Sequence, residues 1–384
     1  MSKGLKSHLK CTGCVACVNV CGVGAIEVVA DKDGFRYPKI DTDKCVNCHK
    51  CEEVCHANIT ANAPKKAVAC YNTDSEKRKN SSSGGIFSLL AENILSRGGA
   101  VYGAVFGEDF SVCHSRVDSA DALPRLLGSK YVQSDIGLTY REVKRDLGEG
   151  SAVLYSGTPC QIFGLKAYLG KEYENLFTVE VICHGVPSPL VWKNYLDAVR
   201  ENLGEDVTKV NFRDKSSGWQ KYSLGIYGRE KSAVETCNDN LYMRVFLGNF
   251  ILRESCYRCD FRDFERNADI TLGDLWGSET ICPELHSDNG LSVAIINTDR
   301  GERIFDEISD LLVKKDVGLG DVIRVNKSFL VSPYRPKSRN NIDGFTEVHP
   351  SEWKINTSRL DKIGSFITRV YNKVAVETAL KKHR

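Results

Sequence analysis

The sequence predicts an α/β (or α+β) domain preceded by a small cysteine-rich module. Two observations carry that prediction. The first is a tandem repeat: Cys11-Thr-Gly-Cys14-Val-Ala-Cys17-Val-Asn-Val-Cys21 recurs as Cys45-Val-Asn-Cys48-His-Lys-Cys51-Glu-Glu-Val-Cys55. The second is an alternation of short apolar runs with helical periodicity between about residues 65 and 340.

The repeat is C-x2-C-x2-C-x3-C twice over, 34 residues apart (45 − 11). That is the spacing of bacterial two-cluster ferredoxins, in which three thiolates of one loop reach three corners of an iron–sulfur cube and the fourth Cys serves the other cube. Cys11, Cys14, Cys17 and Cys55 are therefore assigned to one 4Fe–4S cluster, and Cys45, Cys48, Cys51 and Cys21 to a second. Each run lacks the proline that usually closes it, with Gly22 and His56 in its place. Proline shapes that turn and supplies no ligand. Zinc is the rival reading, and two such runs fit its four-ligand sites poorly. Between the runs, Ala25–Val29 and Tyr37–Ile40 read as a hairpin with Asp33-Gly34 at its turn. The module is expected to span 1–64, the α/β domain 65–340 and a basic helical tail 341–384.

A chain of 384 residues suits two or three domains, and its net charge of +2 points to neither nucleic acid nor an anionic membrane as partner. No apolar run approaches the roughly 20 residues that span a bilayer. Met1–Lys10 is polar and does not read as a secretory signal. Sixteen Cys with cluster spacing and no signal lead to the expectation of a reducing, cytoplasmic setting.

Residues 72–83 are polar and turn-rich and read as a linker or mobile loop. Ile86, Leu89, Leu90 and Ile94 recur at helical spacing, with Ser82 or Ser83 as N-cap and Gly98-Gly99 as the stop. Strands are expected at 100–106, 152–155, 177–182, 207–212, 222–227, 270–272 and 293–296. Helices are expected at 137–148, 160–169, 189–202 and 300–312. Ile363, Phe366, Ile367 and Val370 mark either a docking helix or a solvated tail.

Four further cysteines stand in chemically suggestive places. Cys160 follows Ser156-Gly-Thr-Pro between a strand and a helix, Cys183 ends another strand, and Cys256-Tyr-Arg-Cys259 is a C-x2-C pair. Loops after neighbouring parallel strands converge at one sheet edge, so these four thiols suit a third site. Read from spacing alone, buried structural Cys or zinc serve as well. Cys70, Cys113, Cys237 and Cys282 match no ligand motif.

Gly157-Thr-Pro-Cys-Gln, Cys183-His-Gly-Val-Pro-Ser, Phe212-Arg-Asp-Lys215, Cys256-Tyr-Arg-Cys259, Ala268-Asp-Ile-Thr-Leu-Gly-Asp-Leu-Trp-Gly277 and Ser83-Gly-Gly-Ile-Phe, with Gly99-Ala-Val-Tyr-Gly, together resemble the coenzyme F420 hydrogenase/dehydrogenase beta-subunit family. The resemblance covers roughly residues 1–340. It implies an iron–sulfur flavoprotein that passes electrons between clusters and FAD, and from flavin to a substrate such as a deazaflavin. It also implies a third 4Fe–4S cluster on Cys160, Cys183, Cys256 and Cys259.

No G-x-G-x-x-G follows a strand, so a flavin phosphate needs another seat. Ser82, Ser83, Gly84 and Gly85 open a predicted helix and suit an anion, or else form a simple cap. Gly128-Ser-Lys130-Tyr-Val-Gln133 is a second candidate, with Lys130 against a phosphate or the flavin ring, or merely on the surface. Gly157, Thr158 and Pro159 join the flavin region to Cys160. His184 is the candidate proton shuttle, a structural His being the alternative. Arg213, Asp274 and Trp276 either shape a pocket or form a structural ion pair.

The expected function is a cytoplasmic oxidoreductase. Ferredoxin, another redox protein or a partner subunit delivers electrons through the clusters to FAD and a small-molecule substrate. The alternatives are an F420-specific oxidoreductase subunit and a pure electron-transfer module with no organic substrate. The chain is self-contained, a homo-oligomer or part of a larger complex.

Overall fold

A computed structural model of the chain describes residues 4–337, 339, 342–353, 355 and 359–383. The N-terminal module is two short helices and a hairpin. Helix α1 (Ala16–Val20) follows the first cysteine loop, and α2 (Lys50–Cys55) follows the second. Between them β1 (Ile26–Ala30) and β2 (Arg36–Ile40) pair antiparallel, Ile26 opposite Ile40. Asp33-Gly34 turns the hairpin, with Gly34 at φ +81°. A side chain there would come within 2.4 Å of Leu190 Cβ, so both the turn and the contact require glycine.

β3 (Lys66–Asn72) enters the large sheet. The linker expected at 72–83 instead contains α3 (Ser75–Asn80), because Asp74 caps it by accepting from the N–H groups of Glu76 and Lys77. α4 (Ile86–Ser96) follows, then β4 (Ala100–Phe106), β5 (Val112–Val117), α5 (Thr139–Gly148), β6 (Val153–Gly157), α6 (Pro159–Leu169), β7 (Leu176–Val181) and α7 (Pro189–Leu203). β8 (Lys209–Asp214), β9 (Ser223–Tyr227) and β10 (Ser232–Thr236) form a separate antiparallel sheet, followed by α8 (Leu241–Leu247). The chain returns through β11 (Ile270–Asp274), α9 (Ser278–Ile281), β12 (Ser292–Ile296), α10 (Asp299–Glu307), β13 (Leu312–Val317), α11 (Leu319–Val325), α12 (Asp343–Thr346) and α13 (Arg359–Lys382). The helix expected over 300–312 stops at Glu307, and residues from Leu312 pair as an edge strand with β3. The Ile363, Phe366, Ile367 and Val370 side chains lie outside the described residues.

The eight-stranded sheet runs β13-β3-β12-β11-β7-β6-β4-β5. Its centre, β11, β7, β6 and β4, is parallel, and its flanking pairs are antiparallel. Successive residues of β4 alternate between faces: Val101 and Val105 pack under α4 and α10, while Ala100 and Tyr102 pack under α5 and α6. On the first face Leu90, Ile94, Leu154 and Ile304 are fully enclosed. Burying such a side chain contributes about 1.5–3 kcal/mol. The cysteine module sits on the second face. Its Val15, Ala16, Ile26 and Val54 share one core with Tyr140, Ile162 and Leu165 of α5 and α6.

This topology places the site. β6 and β7 are adjacent and parallel, so their C-terminal ends deliver Cys160 and Cys183 to one edge of the sheet. Among the described residues no helix is long and apolar enough to cross a membrane.

Candidate functional site

The two cysteine loops share an unusual backbone. Gly13 and Asn47, two residues after the first Cys of each loop, have φ +72° and +53°. Val15 and His49, one residue after the second Cys, have φ +51° and +58°. A β-branched residue such as Val15 is strained in the left-handed region, and such strain persists only where the surroundings impose it. Its repetition at matching places gives the two loops the same tight left-handed turns.

Thiols of each run lie near one another. Burial, then Cys14, Cys11 and Cys55, push the Cys17 thiol far up. Cys48 adds to the upward push on Cys51, and Cys21 packs in the same core as Cys51. The Lys6 N–H donates to Cys55 Sγ at 3.3 Å and the Ala25 N–H to Cys21 Sγ at 3.2 Å. Cys48 is exposed, beside exposed Val46, whereas Cys17 is buried.

A third set forms at the sheet edge. Cys160, Cys183, Cys256 and Cys259 line one cavity with Thr12, Arg262 and Arg266. Burial is the largest cause that pushes Cys183 and Cys256 up to about 12, and neighbouring thiols of the set add to it. The Val186 N–H reaches Cys256 Sγ at 3.5 Å. All sixteen cysteines are free thiols. No three His, Cys, Asp or Glu side chains among the described residues are placed to hold a single ion. Four thiols on one cavity are a donor set that an iron–sulfur cube or a zinc ion can use. Cys70, Cys237 and Cys282 are buried, and Cys113 is half-buried on β5.

The first and third sets adjoin. Cys14 contributes to the upward push on Cys160. A Cβ on Gly164 of α6 would meet Cys14 Cβ at 2.9 Å and Cys14 Sγ at 3.2 Å. Glycine at this position lets the cysteine loop lie directly on the helix that begins beside Cys160.

The expected flavin residues fall in several places. Gly85, at φ +82°, is the N-cap of α4, and it offers the helix no side-chain acceptor. Neither Ser82 nor Ser83 caps it, because Ser82 Oγ accepts from the Ser129 N–H at 2.8 Å. Gly84 is pressed against the sheet, its virtual Cβ 2.5 Å from the Cys70 carbonyl. Ser83 Oγ, Arg78 Nη2 and Asn72 Nδ2 are buried without partners beside this turn. Lys215 donates to the carbonyls of Arg78, Ser83 and Asn289 at 2.7–2.8 Å. An uncapped helix N-terminus with spare donors and two cations is the chemistry of an anion seat. Burial, then Arg213, bring Lys215 down to about 7.

Lys130 is brought down to about 8 by burial, and it donates to the Leu127 and Gly128 carbonyls at 3.0 and 3.1 Å. Gln133 lies elsewhere, its Nε2 2.6 Å from a virtual Cβ on Gly13 of the first cysteine loop. Gly157 leads into Thr158 and Pro159, which line the third cavity, and Thr158 Oγ1 lies 3.1 Å from Cys160 Sγ. His184 meets Phe246 edge-on at 5.2 Å, its Nε2 is buried without a partner, and burial brings it down to about 4. Arg213 and Asp274 form an ion pair at 2.9 Å, with Trp219 Nε1 donating to the same carboxylate at 2.8 Å. Sequence reasoning missed the arginines around the thiols: Arg141, Arg253, Arg262 and Arg266. An isolated Arg carries no motif, and most contacts of these side chains are with residues distant in sequence.

Residues 150–315 match the family described as the C terminus of the coenzyme F420 hydrogenase/dehydrogenase beta subunit, and residues 10–59 match the 4Fe-4S dicluster domain. Residues 150–315 thus resemble the C-terminal domain of the F420 hydrogenase/dehydrogenase beta subunit, and a 4Fe-4S dicluster module precedes them on the same chain. A relative from Methanosarcina mazei, the F subunit of F(420)H(2) dehydrogenase, is 20% identical over 317 residues, 79% of this chain and 83% of that protein. A chain of the F420-reducing [NiFe] hydrogenase complex from Methanosarcina barkeri, solved as a xenon derivative, is 17% identical. That match covers 84% of this chain and 93% of its own, with a TM-score of 0.46. The protein is thus an iron–sulfur protein related to the F420 hydrogenase/dehydrogenase oxidoreductases.

Proposed function

We propose that this beta-subunit homologue exchanges reducing equivalents between coenzyme F420 and iron–sulfur clusters, as one subunit of a larger oxidoreductase. The observation that carries the reading is the contact at Gly164. It joins the thiols of the ferredoxin module to those of the sheet edge, so a thiol path leads from exposed Cys48 to half-buried Cys160. The domain matched over residues 150–315 and the M. mazei relative support F420 over an unspecified substrate.

Residues 1–64 supply the outer ligands, Cys45, Cys48, Cys51 and Cys21, and the inner ligands, Cys11, Cys14, Cys17 and Cys55. Within 65–340, Cys160, Cys183, Cys256 and Cys259 hold a third 4Fe–4S cluster. When bound, such clusters carry single electrons, and FAD joins two of these into the hydride that a deazaflavin exchanges. That mismatch in electron count is the reason for placing FAD in the proposal.

The chain's own residues then have defined tasks. The α4 N-terminus at Gly85, with Ser83 and Arg78, holds the phosphate-bearing part of the cofactor. Lys215 fixes this turn by binding three of its neighbouring carbonyls. Thr158 and Pro159 border both the ring and Cys160, and the Thr158 hydroxyl tunes that thiolate. Lys130 supplies positive charge beside the ring, and His184 handles its proton. Exposed Val46 and Cys48 form the contact for a ferredoxin, another redox protein or a neighbouring subunit. Residues 341–384 form the tail.

The test is anaerobic reconstitution with iron, sulfide and FAD, followed by rapid mixing with reduced F420. Bleaching of the cluster absorbance together with recovery of oxidised F420 is expected. Clusters that stay oxidised under F420H2 yet bleach with dithionite would overturn the F420 assignment.

A further inference from the structure

Five arginines are buried in the described structure: Arg78, Arg213, Arg253, Arg266 and Arg339. Three have a carboxylate partner: Arg213 pairs with Asp274, Arg266 with Glu180 and Arg339 with Asp33. Arg78 belongs to the anion seat described above. Arg253 is the most enclosed, at 0% exposure, and no Asp or Glu of the described residues lies within ion-pair distance of it. A guanidinium cannot shed its proton to escape burial, and a buried charge is costly unless an opposite charge faces it.

The surroundings of Arg253 show where that opposite charge belongs. Nε donates to the Cys11 carbonyl at 2.8 Å, and Nη1 donates to the Arg36 carbonyl at 3.0 Å and to Gln133 Oε1 at 3.3 Å. The guanidinium lies over the Tyr37 ring at 3.9 Å. Nη2 is buried with no partner. A Cβ on Gly13 of the cysteine loop would fall 3.2 Å from Nη1, so the loop backbone lies directly against the cation. The main chain of Arg253 faces the other way: its carbonyl accepts from the Cys256 N–H at 2.9 Å. One residue therefore touches the loop of the inner ferredoxin thiols with its side chain and the third thiol set with its backbone.

We infer that Arg253 is the counter-cation and positioning residue of the cluster held by Cys11, Cys14, Cys17 and Cys55, with Nη2 the donor left for that cluster. This rests on the assignment of those four ligands. A cube with four thiolate ligands is an anion, and it gains one further negative charge on reduction. A fixed buried cation favours the more negative state and so raises that cluster's potential; net charge and hydrogen bonding are among the levers that set cluster potentials. The outer cluster also has an arginine, Arg141, whose Nη2 donates to the Cys21 carbonyl at 2.8 Å, but that side chain is exposed, so solvent screens its charge far more than that of enclosed Arg253. Arg253 therefore separates two clusters whose loops are otherwise repeats, and makes the inner one the easier to reduce.

The experiment is an EPR-monitored redox titration of the reconstituted full chain, comparing Arg253→Gln and Arg253→Lys with the unmodified protein. Iron content and two resolved ferredoxin-type couples in the unmodified protein establish the ligand assignment independently. In Arg253→Gln one couple is expected to fall by about 59 mV or more, a tenfold change in its reduced fraction for a one-electron couple, while the others hold. Arg253→Lys, which keeps the charge and loses the fork, is expected to recover most of that shift. Couples unmoved in Arg253→Gln at full iron content, or a Lys variant as shifted as the Gln variant, would overturn the proposal. Should Arg253→Gln lose iron, pulsed EPR of the unmodified protein with 15N-labelled arginine decides. A 15N coupling to a ferredoxin-type cluster that is present in the unmodified protein and lost in Arg253→Lys supports the proposal, and a coupling that is absent, or unchanged in Arg253→Lys, overturns it.

Discussion

Substituting Gly164 by Ala opposes two effects of known sign. In a helix interior, Ala is worth about 1 kcal/mol over Gly. Here the added methyl would stand 2.9 Å from both Cys14 Cβ and the Tyr140 hydroxyl, and 3.2 Å from Cys14 Sγ. Overpacking of a filled site costs about 1–3 kcal/mol. Tyr140 cannot give way freely, because its hydroxyl donates to the Gln161 carbonyl at 2.9 Å and its ring is fully buried. The cysteine loop is the softer side, so the expected response is displacement of Cys14 from α6. Gly164→Ala should therefore lose the propensity gain and end about 0–2 kcal/mol less stable, and Gly164→Val further below. Anaerobic thermal unfolding of the reconstituted protein measures this, alongside the rate at which a donor to the ferredoxin module reduces the third cluster. A raised midpoint in Gly164→Ala with an unchanged rate would refute the close packing of the module on α6.

Other expectations follow from the same geometry. Three cubane sites call for about twelve iron per chain; Cys256→Ser should retain about eight, with both ferredoxin-type signals intact, by iron assay and EPR. Asp274→Asn leaves Arg213, which is 2% exposed, without its carboxylate. Breaking a buried pair costs about 3–5 kcal/mol, and the 19% exposure of Asp274 moves the expectation to the low end; chemical denaturation reads it. Lys215 is brought down to about 7 by burial, and an anionic cofactor must raise it. The bound state therefore holds more protons, and FAD affinity should fall as pH rises above about 7. Calorimetry in buffers of different ionisation enthalpy should show proton uptake near neutrality, and Lys215→Arg should flatten the pH dependence.

The parts of this protein that were legible in the sequence are those fixed by covalent spacing or by period. The cysteine runs give themselves away, because a cube demands three thiolates on one short loop. The parallel strands ending at Cys160 and Cys183 are visible because apolar runs alternate with helical patterns. β3 and β13 were hidden: Lys66-Ala-Val-Ala-Cys is short, and Leu312–Val317 carries Lys314, Lys315 and Asp316, so its strand identity comes from pairing with β3 rather than from its own side chains. The serine cap was misplaced by four-residue reasoning, since Gly85 adopts the left-handed conformation and Ser82 is drawn to Ser129, 47 residues away. The same distance effect concealed Arg253, whose contacts with Cys11 and Arg36 span more than 200 residues.

The most direct test of the proposed electron path is rapid mixing of the fully reconstituted chain with F420H2, comparing the unmodified protein with Cys160→Ser. In the unmodified protein the ferredoxin-type clusters should become reduced. In Cys160→Ser, flavin reduction by F420H2 should persist while reduction of the ferredoxin-type clusters slows severely, because the link between Cys14 and the sheet edge is lost. Equal rates of ferredoxin-cluster reduction in the two proteins would contradict the path.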